Sequence, residues 1–252
     1  MTRTMPGLAV LIGLLGLCLL SGPALAETTP DDKVLVLNTA FSEPISNKEQ
    51  TGFADTLIGM ALQRLGYRLK TLHLPAERAL IIANDGIDDG EMLRIAGLQK
   101  SYPNLIQVPE KIIDLEFSAF TRKKSLPITG WHDLAAYPVA IITGWKILER
   151  NIPATIDLVT VRNVDQLFTL LLKDRTDAIL YTRWSGLAYI RKHQLQEISI
   201  VEPPLERKSM YVYLHKRHRE LVPRLAHELR LLKAEGEKQR LFREILAPYA
   251  GD

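Results

Sequence analysis

Residues 114–123 read DLEFSAFTRK and residues 207–216 read RKSMYVYLHK, two extended, alternating stretches that bracket a complete α/β unit. Between them GWHDLAAY (130–137) reads as a short helix, PVAIITG (138–144) as a strand and WKILERNI (145–152) as a helix. IDLVTV (156–161) follows as a strand, NVDQLFTLLLKD (163–174) as a helix and TDAILYT (176–182) as a strand. A first unit of the same kind precedes them. KVLVLNT (33–39) has the apolar run of a buried strand, and FADTLIGMALQRLG (53–66) carries Phe53, Leu57, Met60, Ala61 and Leu65 at helical spacing with Gly66 to close it. YRLKTLHL (67–74) is a second strand, PAERALIIAND (75–85) a helix with Pro75 at its start, and MLRIAGL (92–98) a third strand. Strands alternating with helices imply parallel sheets covered by helices. Two long strands flanking the second unit imply that the chain crosses over and later returns. The expected architecture is therefore α/β with two lobes: one from residues 27–117 and 206–252, the other, 118–205, inserted into it.

The first 26 residues, MTRTMPGLAVLIGLLGLCLLSGPALA, join one positive charge, an apolar run from Leu8 to Leu20 and a small-x-small ending at Ala26. That order predicts a secretory signal peptide cleaved after Ala26 and an exported protein. Cys18, the single cysteine of the chain, lies inside that apolar run. The mature chain thus has neither a disulfide nor a thiol nucleophile and depends on a packed core. The 32 Lys and Arg, one of them Arg3, nearly balance the 29 Asp and Glu. Such a balance gives no basic stripe for nucleic acid. The locally basic 216–240 has interspersed glutamates and leucines at helical spacing, as a solvated amphipathic helix would.

The stretch DGIDDGEMLRIAG (85–97) tests a metal reading. With Gly90 as the sixth residue of a calcium loop, the ligand positions include Ile87 and Ala96, whose side chains cannot ligate calcium. Asp and Gly in such a run make a helix stop and a turn. Arg94, in an otherwise apolar strand, is either a salt-bridge partner or an anion receptor. Neither a G-x-S-x-G elbow, an S-x-x-K pair nor a glycine-rich phosphate loop occurs. HELRL at His227 has Leu231 where a zinc-protease helix needs its second histidine, and HKRH (215–218) reads as a solvated helix start.

From VLNTAFSEPIS and TGFADTLIGMALQRLGY, through LPAERALIIANDGIDDG and WHDLAAYPVAIITGW, to TDAILYT, the chain resembles the type 2 periplasmic solute-binding proteins of the bacterial family-3 group. Many of these serve amino-acid ABC transporters. The resemblance implies two lobes joined by two crossover strands, a ligand held in the cleft, and hinge closure sensed by a membrane partner. It implies a small polar solute, anionic or amino-acid-like, a monomer, and no cofactor, metal or nucleic acid. Where the group often has Pro-Trp-x-Arg-Ala, this chain has Pro75-Ala76-Glu77-Arg78-Ala79; Arg78 matches and the tryptophan does not. Phe41 or Trp145 would then supply an aromatic wall. Thr143, Gly144 and Trp145 match the loop whose backbone N–H groups meet a ligand carboxylate. Amino-acid binders tend to carry an acid where this chain has Thr182, followed by Arg183. That difference, with Arg78 and Arg94, points to an anionic or dicarboxylate ligand. Arg78 paired with Glu77 or Asp88, Arg183 starting a helix toward solvent, and Trp145 in the core are the structural alternatives. Two other functions remain open on the same fold. One is a cyclohexadienyl-dehydratase-like enzyme with Glu77, Glu43 or His73 as its acid or base; the other is a ligand sensor for a membrane receptor rather than for an ABC permease.

Overall fold

The computed structural model describes residues 33–250. The signal-peptide expectation falls on residues 1–26, outside the described residues. The chain forms β1 (Lys33–Thr39), α1 (Phe53–Arg64), β2 (Tyr67–His73), α2 (Ala76–Asn84), β3 (Gly90–Ile95) and the long β4 (Leu105–Thr121). Then come β5 (Val139–Ile142), α3 (Lys146–Asn151), β6 (Leu158–Val161), α4 (Val164–Leu172), β7 (Ala178–Thr182) and α5 (Arg183–His193). A short β8 (Ser199–Ile200), the return strand β9 (Glu206–His215), α6 (Leu221–Ala234) and α7 (Glu237–Leu241) complete it. Among the described residues no helix is long and apolar enough to cross a membrane.

The strands run β2-β1-β3-β9-β4-β7-β5-β6, with β8 on β4. Three parallel strands stand at each end: β1 pairs with β2 and β3, and β5 pairs with β6 and β7. Each triplet places its first strand in the middle, so each has a point where the connections leave in opposite directions. Loops at the carboxyl ends beside such points form ligand crevices. Between the triplets, β4 and β9 run antiparallel over a register from Leu105↔His215 to Phe117↔Glu206, and both belong to each half. The hydrogen-bonded path is thus continuous, yet it is two parallel sheets joined by two crossover strands.

β4 begins at Leu105, earlier than the alternation from Asp114 predicts. Pro109 hides the start, because it lacks an N–H for the ladder. The pairing accommodates it with a shift in register between Gln107 and Lys111. The short helix expected over 130–137 is a 3-10 helix at Trp131–Ala136. α1 buries Phe53, Leu57, Ile58, Ala61 and Leu62 in the core and packs on β2 and α6. Met60 and Leu65 of the predicted stripe are only partly buried. Its amino end is held by Asp55, whose carboxylate accepts from the backbone N–H of Asn47 at 2.9 Å and of Gly52 at 3.2 Å.

The turn before β3 is an anchor. Asp89 Oδ2 accepts from Val36 N at 2.7 Å, while Asp89 Oδ1 lies 2.6 Å from both Arg217 Nη2 and His218 Nε2. Burial alone would raise this carboxyl, but the donors from Val36, Arg217 and His218 hold it below its usual range. Among the described residues no group of three or more His, Cys, Asp and Glu is placed to hold a metal ion. Gly90 is buried where β3 meets both β1 and β9. A Cβ there would overlap the Tyr213 carbonyl oxygen and come within 3.1 Å of Leu214 Cα. Gly90→Ala is expected to lower stability by about 1–3 kcal/mol, the usual range for overpacking, read as a reduced denaturation midpoint at unchanged m-value.

Candidate functional site

A cavity of about 280 Å³ lies where β1, β3 and β5 end. Ala40 and Phe41 after β1, residues 94–98 at the end of β3, and Trp145–Ile147 after β5 form much of its wall. This is the crevice the sheet order leads to, bounded by both halves. Trp145 is its centrepiece. Its ring lies 5.4 Å from Phe41 and 6.1 Å from Phe117, both edge to face, and 5.3 Å from Tyr181. Favourable edge-to-face geometry fixes the indole as a rigid wall between the halves.

Arg94 lines the cavity as its main preset cation. Its Nε donates to Glu91 Oε1 at 2.7 Å and one terminal nitrogen donates to the Ala76 carbonyl at 2.7 Å. Two residues three apart on a regular strand would face opposite sides of the sheet. They meet because β3 is bulged: Glu91 pairs with Tyr213 and Arg94 with Tyr211, so three steps on β3 match two on β9. Glu91 is wholly buried. Burial raises its carboxyl from 4.5 to about 7, against the opposing pull of Arg94.

Opposite stands a second charged group. Lys146 Nζ, from the second half, lies 2.8 Å from Glu77 Oε2 on α2 and 3.1 Å from Glu149 Oε2. Tyr102 donates to Glu77 Oε1 at 3.1 Å. The Lys146 ammonium, helped by Tyr102, holds the Glu77 carboxyl below its usual range, and Glu77 in turn raises Lys146. Further cross-cleft contacts are Ser42 Oγ to Tyr181 Oη at 3.0 Å and Ser185 Oγ donating to the Ser42 carbonyl at 3.3 Å.

Of the residues singled out in the sequence, Phe41, Arg94 and Trp145 come together here. Arg78 is exposed and outside the cavity lining. Thr143 and Gly144 adjoin the cavity, but their amides are occupied: Thr143 N donates to Val161 O at 2.9 Å and Gly144 N to Glu149 Oε1 at 2.6 Å. The Gly144 backbone, at φ +91, passes against α2, with room for a Cβ only 3.5 Å from Glu77 N. Thr182 is buried, with its hydroxyl unpartnered. Arg183 starts α5 and is taken up in ion pairs with Glu202 and, at 3.5 Å, Glu116. Among the candidate acids and bases, Glu77 alone lines the cavity. Glu43 is exposed beside Lys192, and His73, its imidazole pushed down by burial, meets Ser46 at 3.0 Å. Sequence reasoning missed Glu91, Tyr102 and Lys146. A Glu three residues before an Arg in a strand signals no pairing unless a bulge is known.

A fully buried carboxyl that titrates near 7 makes stability depend on pH. Glu91 is protonated in the folded chain between 4.5 and about 7, where the unfolded chain has lost the proton. Its contribution is therefore whole below pH 4.5 and is lost as pH rises toward and through 7, on the order of 3 kcal/mol in total. Glu91→Gln is expected to flatten that fall, measured by urea denaturation at a series of pH values.

No protein-family model matches the sequence. An uncharacterized protein of Shewanella oneidensis is 29% identical over 225 residues, which cover 84% of this chain and 83% of that one. The substrate binding protein of an amino acid ABC transporter matches with a TM-score of 0.69 at 18% identity, covering 85% of this chain and 99% of that one. A histidine kinase sensor domain with similarity to periplasmic binding proteins matches with a TM-score of 0.73 at 17% identity, covering 85% and 96%. The chain has the two-lobed α/β fold of the type 2 periplasmic binding proteins.

Proposed function

We propose that this protein is a periplasmic solute-binding protein that closes its two lobes on a small carboxylate. The observation that carries the reading is the cavity between the halves, in which Glu91 and Ala76 hold the Arg94 guanidinium toward a rigid aromatic wall. A preset, partly desolvated guanidinium is a carboxylate receptor because its planar fork matches two oxygens. The lobes divide at residues 117/118 and 205/206, within or beside the crossover strands. Residues 1–26 act as the export signal, and the mature protein works as a monomer.

The partner is an ABC permease or a membrane sensor. Similarity to a transporter's binding protein and to a sensor domain supports both. A catalytic role has less support, since Glu77, the lining carboxylate, is paired with Lys146 and held ionised, which weakens it as a general acid or base.

Arg94→Ala alone would strand the buried Glu91 and confound binding with stability. The test is therefore a double variant, Glu91→Gln with Arg94→Gln. Wild-type protein is expected to gain thermal stability with one class of a panel of amino acids, dicarboxylates and small apolar acids, because a ligand of the folded state alone raises its stability. The double variant should remain folded and bind that class at least tenfold more weakly, about 1.4 kcal/mol. Equal affinity in the double variant would refute the role of Arg94.

A further inference from the structure

Resting on that solute-binding reading, we propose that the solute is a monocarboxylate with an apolar, ring-sized body and no ammonium group beside the carboxylate. Beyond its charged groups the cavity is walled by Phe41, Phe117, Trp145, Leu98, Ile147 and Met210. Phe41 and Trp145 are 7% and 8% exposed, so the wall is already formed, with the rings locked edge to face. A wall of this kind gains by covering apolar surface and offers a polar body no hydrogen bonds.

The charges make the second part of the case. Arg94, Lys146 and Arg150 line the cavity, and among the described residues Glu77 is the single lining carboxylate. Glu77 is already paired: Lys146 lies 2.8 Å from Oε2, an ion pair outside hydrogen-bond geometry, and Tyr102 donates to Oε1 at 3.1 Å. An incoming ammonium would have to compete with Lys146 for Glu77 or sit beside Arg94, Lys146 and Arg150, whose like charges repel it. A lone carboxylate meets the opposite conditions. The guanidinium waits for it, and the buried Glu91 behind Arg94 can take up a proton as the ligand's negative charge arrives.

Matched pairs that differ only in the ammonium group test this by calorimetry at pH 7: L-phenylalanine against 3-phenylpropanoate, L-tryptophan against 3-(indol-3-yl)propanoate, and L-leucine against 4-methylpentanoate. In at least one pair the ammonium-free acid is expected to bind at least tenfold more tightly. Lys146→Met frees Glu77 and should shrink or invert that ratio. An amino acid that binds as well as its ammonium-free partner in every pair would overturn the proposal, as would a ratio unmoved by Lys146→Met. Binding of amino acids or dicarboxylates that the double variant at Glu91 and Arg94 abolishes would discard this solute class and leave solute binding standing. No binding by any acid would remove both.

Discussion

The antiparallel pairing of β4 with β9 is the constraint on which everything else rests. Among the described residues no strand of one parallel triplet pairs with a strand of the other; the two are joined in the sheet through β4 and β9, paired from Leu105↔His215 to Phe117↔Glu206. β3 docks on one part of β9 and β7 on the far part of β4, so the spacing of the halves follows from where those contacts fall. The register shifts between Gln107 and Ile113 relax the ladder beside Pro109. A strand pair interrupted there is easier to bend than a regular one, since a bulge removes ladder bonds and increases twist.

A smaller irregularity sets the chemistry. In β3 one extra residue between Glu91 and Arg94 turns a pair that should face opposite sides of the sheet into a contact of 2.7 Å. Had the strand been regular, Arg94 would have lost its carboxylate partner or its access to the cavity. The bulge gives it both. Removing Glu91 would leave the Arg94 guanidinium without its carboxylate, and removing Arg94 would leave Glu91 buried as the neutral acid, so this pair serves geometry more than stability.

How much of this could be read from residues alone follows the same division. Strands β1, β2, β5 and β9 and helix α1 announce themselves, because apolar runs, period and flanking glycines agree on one answer. The crossover topology also follows, as two long alternating stretches around an α/β unit admit few connections. Phe41, Arg94 and Trp145 were accessible for the same reason, since each stands just after or at the end of a recognisable strand. Arg78 and Arg183 show the limit: a charge beside the right element says nothing of its direction, and the first ends in solvent while the second ends in ion pairs with Glu116 and Glu202. Thr143 and Gly144 fail for another reason. Their amides were assigned to a ligand, but Val161 and Glu149 are nearer acceptors, and a buried or half-buried N–H goes to whichever acceptor the fold supplies. Long-range partners such as Tyr102 and Lys146 leave no local trace at all.

The cross-cleft contacts also bear on what can drive closure. Between the halves stand the Lys146–Glu77 ion pair, the Ser42–Tyr181 hydrogen bond and the bond from Ser185 to the Ser42 carbonyl. Lys146 and Glu77 are each around two-fifths exposed, so solvent screens their pairing and its net worth is small. A hydrogen bond that replaces one to water adds about 1 kcal/mol at most times. Interactions of that size hold the halves together only weakly against the freedom lost on closing. A solute can shift such a balance by no more than its differential affinity for the two arrangements. Phe41 comes from one half and Trp145 from the other, so a body resting on both rings gains contacts that exist only when the halves meet. On the solute-binding reading proposed above, the aromatic seam, more than the polar latch, would be the element through which occupancy is converted into closure.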